Sequence, residues 1–105
     1  MVLTLMTVSA NATTVQNLTL DSVTQYSVSA LTVLHFKEDY RSPGGCGTSA
    51  WGSRAALVRT TEPYAAELIS LALSALMTGA KVDVGMLATC DAGADSVQFI
   101  KVKGP

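Results

Sequence analysis

The stretch "YAAELISLALSALMTG", residues 64–79, decides how the rest of the chain is read. Its polar side chains, Glu67, Ser70, Ser74 and Thr78, recur at spacings of three, four and four, the period of a helix. At ~100° per residue they fall on a strip only about 80° wide. Thr61 is placed to cap this helix, Pro63 suits its first turn and Gly79 suits its C-terminal stop. Around the polar strip everything is apolar, whereas a surface helix of a monomer buries one stripe. Leaving several of Leu68, Ile69, Leu71, Leu73 and Leu76 in water forfeits about 1.5–3 kcal/mol each. Two arrangements cover the flanks. In a ring of copies, one helix face lies on the home sheet, the flanks meet neighbours and the polar strip faces a central channel. Alternatively, the long loop of the same chain folds over the helix. The ring is the more economical.

Working outward, the helix is bracketed by strand-like sequence. Residues 15–36 contain "VQNLTLDSV" and "SVSALTVLHF", rich in Val, Leu and Thr, with Asp21-Ser22 as the break between them. From Ala30 the run is almost wholly apolar, which predicts a strand buried on both faces. Residues 37–53, "KEDYRSPGGCGTSAWGS", form a Gly-rich loop carrying Tyr40, Arg41 and the only tryptophan, Trp51. "RAALVRT" then reads as a short strand. After the helix, "KVDVGMLAT" alternates, with Val82, Val84, Met86 and Ala88 on one face and Lys81 and Asp83 on the other. "SVQFIKVK" is the last strand. Strands, one helix, then strands predict a mainly β domain, a small barrel with a long amphipathic helix across it.

Composition bounds the function. The chain has 105 residues, enough for one small domain whose core is marginal without extra help. Seven Lys and Arg against eight Asp and Glu give no electrostatic reason to expect nucleic acid or an anionic membrane as partner. With 14% charged and 49% hydrophobic residues, the polar coat is lean, and part of the apolar surface is expected to face another subunit. Cys46 and Cys90 fit a single disulfide; the alternative is two separate buried thiols in a cytosolic protein. Both lie in Gly/Asp/Ser-rich loop sequence, which favours the bridge. It would close a loop of about 45 residues and contribute roughly 4 kcal/mol in the chain-entropy account. Residues 1–12, "MVLTLMTVSANA", read either as a signal-peptide remnant ending in a small-x-small cleavage site or as a first strand. They are too short to span a bilayer. Residues 13–105 are then the single domain, and the expected location is secreted or periplasmic.

Catalytic and metal sites are not expected. A nucleophile triad or a zinc site needs several placed His, Cys or carboxylate groups. This chain has one histidine and two cysteines. His35, inside an apolar run, reads as a core or interface histidine with a backbone partner. No Gly-rich phosphate loop follows a strand and opens a helix, so no cofactor is expected and the chain does not read as an enzyme. Asn11-Ala-Thr13 and Asn17-Leu-Thr19 match the glycosylation pattern, which is common by chance. Met77 and Met86 read as core filler.

Two segments carry a resemblance. "YSVSALTVLH", Tyr26 to His35, resembles a segment of the receptor-binding B subunits of subtilase cytotoxin and typhoid toxin, the pertussis-like type. There an aromatic–Ser pair is followed at the same gaps by aliphatic residues and a Leu/Phe–His. "ELISLALSALMTGAKVDV", Glu67 to Val84, is similar to the same family's helix, Thr-Gly and alternating Val strand, and Trp51 falls where that family places a Trp before its helix. The resemblance implies an OB-fold barrel, export, a pentameric ring with pore-lining helices, recognition of sialylated glycans and a partner A subunit. By position the sialic acid contact falls on Ser27, with Tyr26 beside it. A Ser hydroxyl and nearby N–H groups suit a sugar carboxylate, and an aromatic ring suits the sugar's apolar face. Arg54 or Arg59 is the candidate cation for that carboxylate, an assignment that rests on charge and not on the resemblance. The chain departs from the family in having only two cysteines, in its short C-terminal "FIKVKGP" and in lacking a Trp-containing opening before Tyr26. The alternative is an exported OB-fold protein without a sugar site, which binds or inhibits a protein through the loop of Tyr40 and Trp51.

Overall fold

The computed structural model describes residues 12–46 and 54–104. The expectations placed on residues 1–11, on Trp51 and on the second half of the long loop lie outside them. Five strands and one helix follow in the order β1 (Thr13–Tyr26), β2 (Leu31–Phe36), β3 (Ala55–Arg59), α1 (Ala65–Thr78), β4 (Lys81–Asp91) and β5 (Ala94–Val102). The domain is therefore mainly β with one helix between strands, as the sequence predicts. The ladder runs β1-β2-β3-β5-β4 and returns to β1, so the sheet closes on itself.

Closure depends on β1 serving two neighbours in turn. Residues Thr13 to Thr19 pair with β4, and Leu20 to Tyr26 pair with β2. Two irregularities bend the strand between these duties. One lies between Val15 and Leu18, where Asn17 has φ 62°, and the other between Leu20 and Ser22. Asp21-Ser22, expected to separate two strands, is thus a bulge within one long strand, since an extra residue bends a ladder without ending it. The true turn comes later. Tyr26 pairs with Leu31, so Ser27–Ala30 form the hairpin turn, closed by Ala30 at φ 53°. The second strand starts at Leu31, four residues after the expected start at Ser27.

β2 is buried on both faces, and its alternation feeds two clusters. Leu34 and Phe36, with Ala56 and Val58 of β3, face the barrel interior beside Leu18, Leu20, Val82, Val84, Met86, Val97 and Ile100. Leu31 and Val33, with Ala55 and Leu57, face the opposite side and join Ala94 in a second cluster. In β4, Val82, Val84 and Met86 face inward as predicted. Ala88 is exposed instead of sharing their face, because the β4–β5 register shifts between Leu87 and Cys90. Asp83 points outward yet is only 7% exposed, covered by the Asn17 N–H and Lys103 that it binds.

α1 packs against β1, β5 and β3 through Ala65, Leu68, Ala72 and Ala75. Gly79 ends it as expected, with φ 71° and its N–H on the Ala75 carbonyl. The start differs. Tyr64 is the N-cap and makes no side-chain capping bond. Thr61 and Pro63 belong to turns in which Glu62 N–H reaches Arg59 O and Ala65 N–H reaches Glu62 O. The chain must turn from β3 across the barrel before the helix begins, which leaves Thr61 too early to reach the first helical N–H groups.

Candidate functional site

At one end of the barrel the β1–β2 turn stands clear of the surface. Val28 is fully exposed and Tyr26 is 38% exposed. Ser27 and Ser29 are exposed with them. Arg59, the last residue of β3, sits opposite Leu31 at the root of this turn, and its Nη1 donates to the Ser29 carbonyl at 3.4 Å. Thr60 N–H donates to Ala30 O at 2.9 Å. Arg59 is thereby held at the root of the turn that carries Ser27, one strand removed from Tyr26.

Its guanidinium is already engaged. Nε and Nη2 donate to the two carboxylate oxygens of Asp91 at 2.7 and 2.6 Å, a fork-to-fork geometry. The bonds from Arg59 hold the Asp91 carboxyl below its usual range, and those to Asp91 hold Arg59 above its own. Asp91 ends β4, and the following Ala92-Gly93 turn has both residues at positive φ, 51° and 84°. The turn of residues 27–30, Arg59 and the tip of the β4–β5 hairpin therefore meet at one end of the barrel. An anion arriving at Ser27 would share Arg59 with Asp91.

Arg54 takes no part there. It precedes β3 at the opposite end, about 16 Å away at ~3.3 Å per strand residue. Its Nε and Nη2 bind Asp39 at 2.6 and 3.5 Å, and its Nη1 donates to Lys37 O. The geometry separates the two candidate cations that the sequence left side by side.

The helix forms the second surface of interest. Glu67, Ser70, Ser74 and Thr78 are all exposed on the side away from the barrel. Between them and the buried stripe lie apolar flanks. Leu71, on one side, is 40% exposed; Leu73 and Met77, on the other, are 43% and 86% exposed. Ile69 and Leu76 are half-buried against the barrel. Met77 is thus the reverse of core filler, while Met86 is fully buried. Leu71, Leu73 and Met77 are thus open beside the described residues, which include 37–46 of the long loop that was the alternative cover.

The described part of that loop is fastened elsewhere. Tyr40 packs edge-on against Phe36, with ring centroids 5.9 Å apart, and its hydroxyl lies 2.8 Å from Ala55 O and 3.0 Å from Asp95 Oδ2. Ser42 Oγ donates to Asp95 Oδ1 at 2.7 Å and accepts the Cys46 N–H. Cys46 and Cys90 form the disulfide, so the bridge is the correct alternative of the two left open by the sequence. Tyr40, offered with Trp51 as a contact surface, is committed to the interior. Sequence reasoning missed Asp95, which is 1% exposed and grips two loop hydroxyls. Nothing local marks it, since its partners lie 53 and 55 residues away.

At the far end of α1, a groove of about 620 Å³ is lined by Thr78–Lys81 and Val102–Gly104. Its two ammonium groups are both committed: Lys81 to Thr19 and Glu38, Lys103 to Asn17 and Asp83. His35 is half-buried on β2 between Ser22 and Ala55. Among the described residues no group of three His, Cys, Asp or Glu is placed to hold a metal ion, and no helix is long and apolar enough to cross a membrane. Comparison of the chain with protein-family models and with curated proteins finds no match.

Proposed function

We propose that this chain is an exported, ring-forming B subunit of a one-A/five-B type toxin, which binds a sialylated cell-surface glycan and carries a partner A chain. The observation that carries the reading is the helix. Its buried stripe is flanked by Leu71 on one side and by Leu73 and Met77 on the other, all open to water, while its polar strip points away from the barrel. Neighbouring copies seated against both flanks would remove that apolar area from water and leave Glu67, Ser70, Ser74 and Thr78 around a shared channel.

The strand order, closed by β1 on β4 with the helix between β3 and β4, supports an OB barrel, a scaffold whose β1–β2 and β4–β5 loops serve for oligosaccharide binding in other proteins. These are the two loops that meet at Arg59. In this reading Ser27 bonds the sugar carboxylate, Tyr26 lies against the sugar ring and Arg59 adds charge that it shares with Asp91. Arg54 is dropped from the site by its distance. The disulfide suits a secreted or periplasmic setting.

A glycan array probed with the oxidised protein tests the sugar site. Sialylated glycans are retained, Ser27→Ala loses at least tenfold in binding and Arg54→Ala leaves it unchanged. Absence of any retained glycan with the wild-type protein contradicts the reading.

A further inference from the structure

The β4–β5 hairpin changes character beyond Leu87. Ala88, Thr89 and Cys90 are exposed, and the register with β5 shifts across them. Past the shift, Cys90 pairs with Asp95 and Asp91 with Ala94, so residues 90–95 form a small hairpin of their own. No residue from 88 to 95 belongs to the main core cluster. The tip instead contributes Ala94 to the second cluster, beside Leu31, Val33, Ala55 and Leu57 on the outer side of β2 and β3.

Three side-chain ties are among those that hold the tip in that place. Asp91 is bound by Arg59. Asp95 receives Tyr40 and Ser42 and lies next to Ala56 in the ladder. Cys90 is joined to Cys46, and the loop backbone lies so close that a Cβ on Gly44 would stand 3.1 Å from the Ala88 and Thr89 backbone. The first two ties hold the tip at its turn and at its base. Among these three ties, the disulfide is the one that fastens the exposed residues 88–90, across the register shift.

We infer that the Cys46–Cys90 disulfide is a redox latch: its reduction releases the hairpin tip, residues 88–94, from the outer side of β2 and β3 while the barrel stays folded. Because Cys90 is exposed, a thiolate of a small dithiol can reach its sulfur. Attack there forms a mixed disulfide and expels Cys46 as thiolate. The second thiol of the reductant then closes on the first sulfur and releases Cys90. Two electrons and two protons pass to the protein, and the dithiol leaves as a cyclic disulfide. With the bridge open, the Arg59–Asp91 pair parts as the tip pivots at Asp95 and at the 88–89 shift, and the apolar side chains that Ala94 touches lose that cover. This inference rests on the disulfide and the hairpin and is independent of the sugar reading.

The test is amide hydrogen exchange on the full chain at 10 °C, oxidised and after dithiothreitol, with far-UV circular dichroism on the same samples. Exchange in residues 88–94 rises at least tenfold on reduction, the signals of β1 and α1 stay protected and the dichroism is unchanged. The double substitution Cys46→Ser/Cys90→Ser reproduces the reduced pattern without reductant. Unfolding of the whole domain on reduction overturns the inference, because the bridge is then a staple for the entire fold. So does unchanged exchange in residues 88–94, which would show that Arg59 and Asp95 suffice to hold the tip.

Discussion

Glu38 is half-buried and accepts three hydrogen bonds at the bend of β1: from Thr19 N–H at 2.6 Å, from the Thr19 hydroxyl at 2.7 Å and from Lys81 Nζ at 3.2 Å. Burial pushes its carboxyl up, but these bonds outweigh burial and bring it down to about 2. A carboxylate depressed in the folded state stabilises above its unfolded value, here near 4.5, and that stability is lost as pH falls towards 2. Glu38→Gln is expected to cost about 1–2 kcal/mol at neutral pH, after allowance for solvent screening. Urea melts at pH 7 and pH 3 check this, with the difference from wild type shrinking at the lower pH. Tyr40 offers a second test. Burial, and then the charge and bond of Asp95, push its hydroxyl well above the normal range. Tyr40 is expected to resist ionisation in a spectrophotometric titration to about pH 12, and Tyr40→Phe to leave the titrating amplitude unchanged. Tyr40→Phe, which leaves Asp95 one donor short, costs about 1–2 kcal/mol.

Among the elements, the helix separates contacts within the chain from contacts between copies. Ala72 is fully buried where α1 crosses the barrel. Ala72→Leu overfills that contact and lowers stability by about 1–3 kcal/mol. Met77→Glu, at a position 86% exposed, leaves the monomer fold intact but places a charge on the flank proposed to meet a neighbour. Thermal melts and solution mass read the two effects separately. The sheet gives a parallel case. Phe99 lies over its cross-strand partner Gly85, and a Cβ there would stand 2.1 Å from the ring. Gly85→Ala therefore displaces Phe99 and destabilises by about 1 kcal/mol or more. In a Phe99→Ala background the same change is neutral or stabilising, since glycine weakens a strand interior. Thermal melts of the double-mutant cycle decide it.

At the scale of the whole molecule, the order of elements was legible because each strand and the helix carries its own periodicity. Leu31–Phe36, and the face of Val82, Val84 and Met86, could be assigned to the interior from their apolar run and alternation. What escaped depends on contacts across the chain. The bend of β1 at Asn17 and Asp21 follows from pairing with two neighbours, and its sequence does not announce it. The helix start moved because the chain first had to turn away from β3. At the candidate site, the Tyr26–Ser27 pair was visible as sequence, but the choice of Arg59 over Arg54 needed the fold, since both flank one short strand. Asp91 and Asp95 were invisible because their partners lie 32 to 55 residues away. The helix flanks are the exception, where excess apolar surface in the sequence anticipated the open Leu71 and Leu73; Met77, which reads as core filler, is open with them. The proposed ring rests on that surface. Its most direct test is the mass of the oxidised protein in solution, by light scattering behind a sizing column. The account predicts a mass near five chains, about 55 kDa from the 10.9 kDa chain, falling to the monomer with Met77→Glu. A wild-type monomer at the same concentration contradicts it.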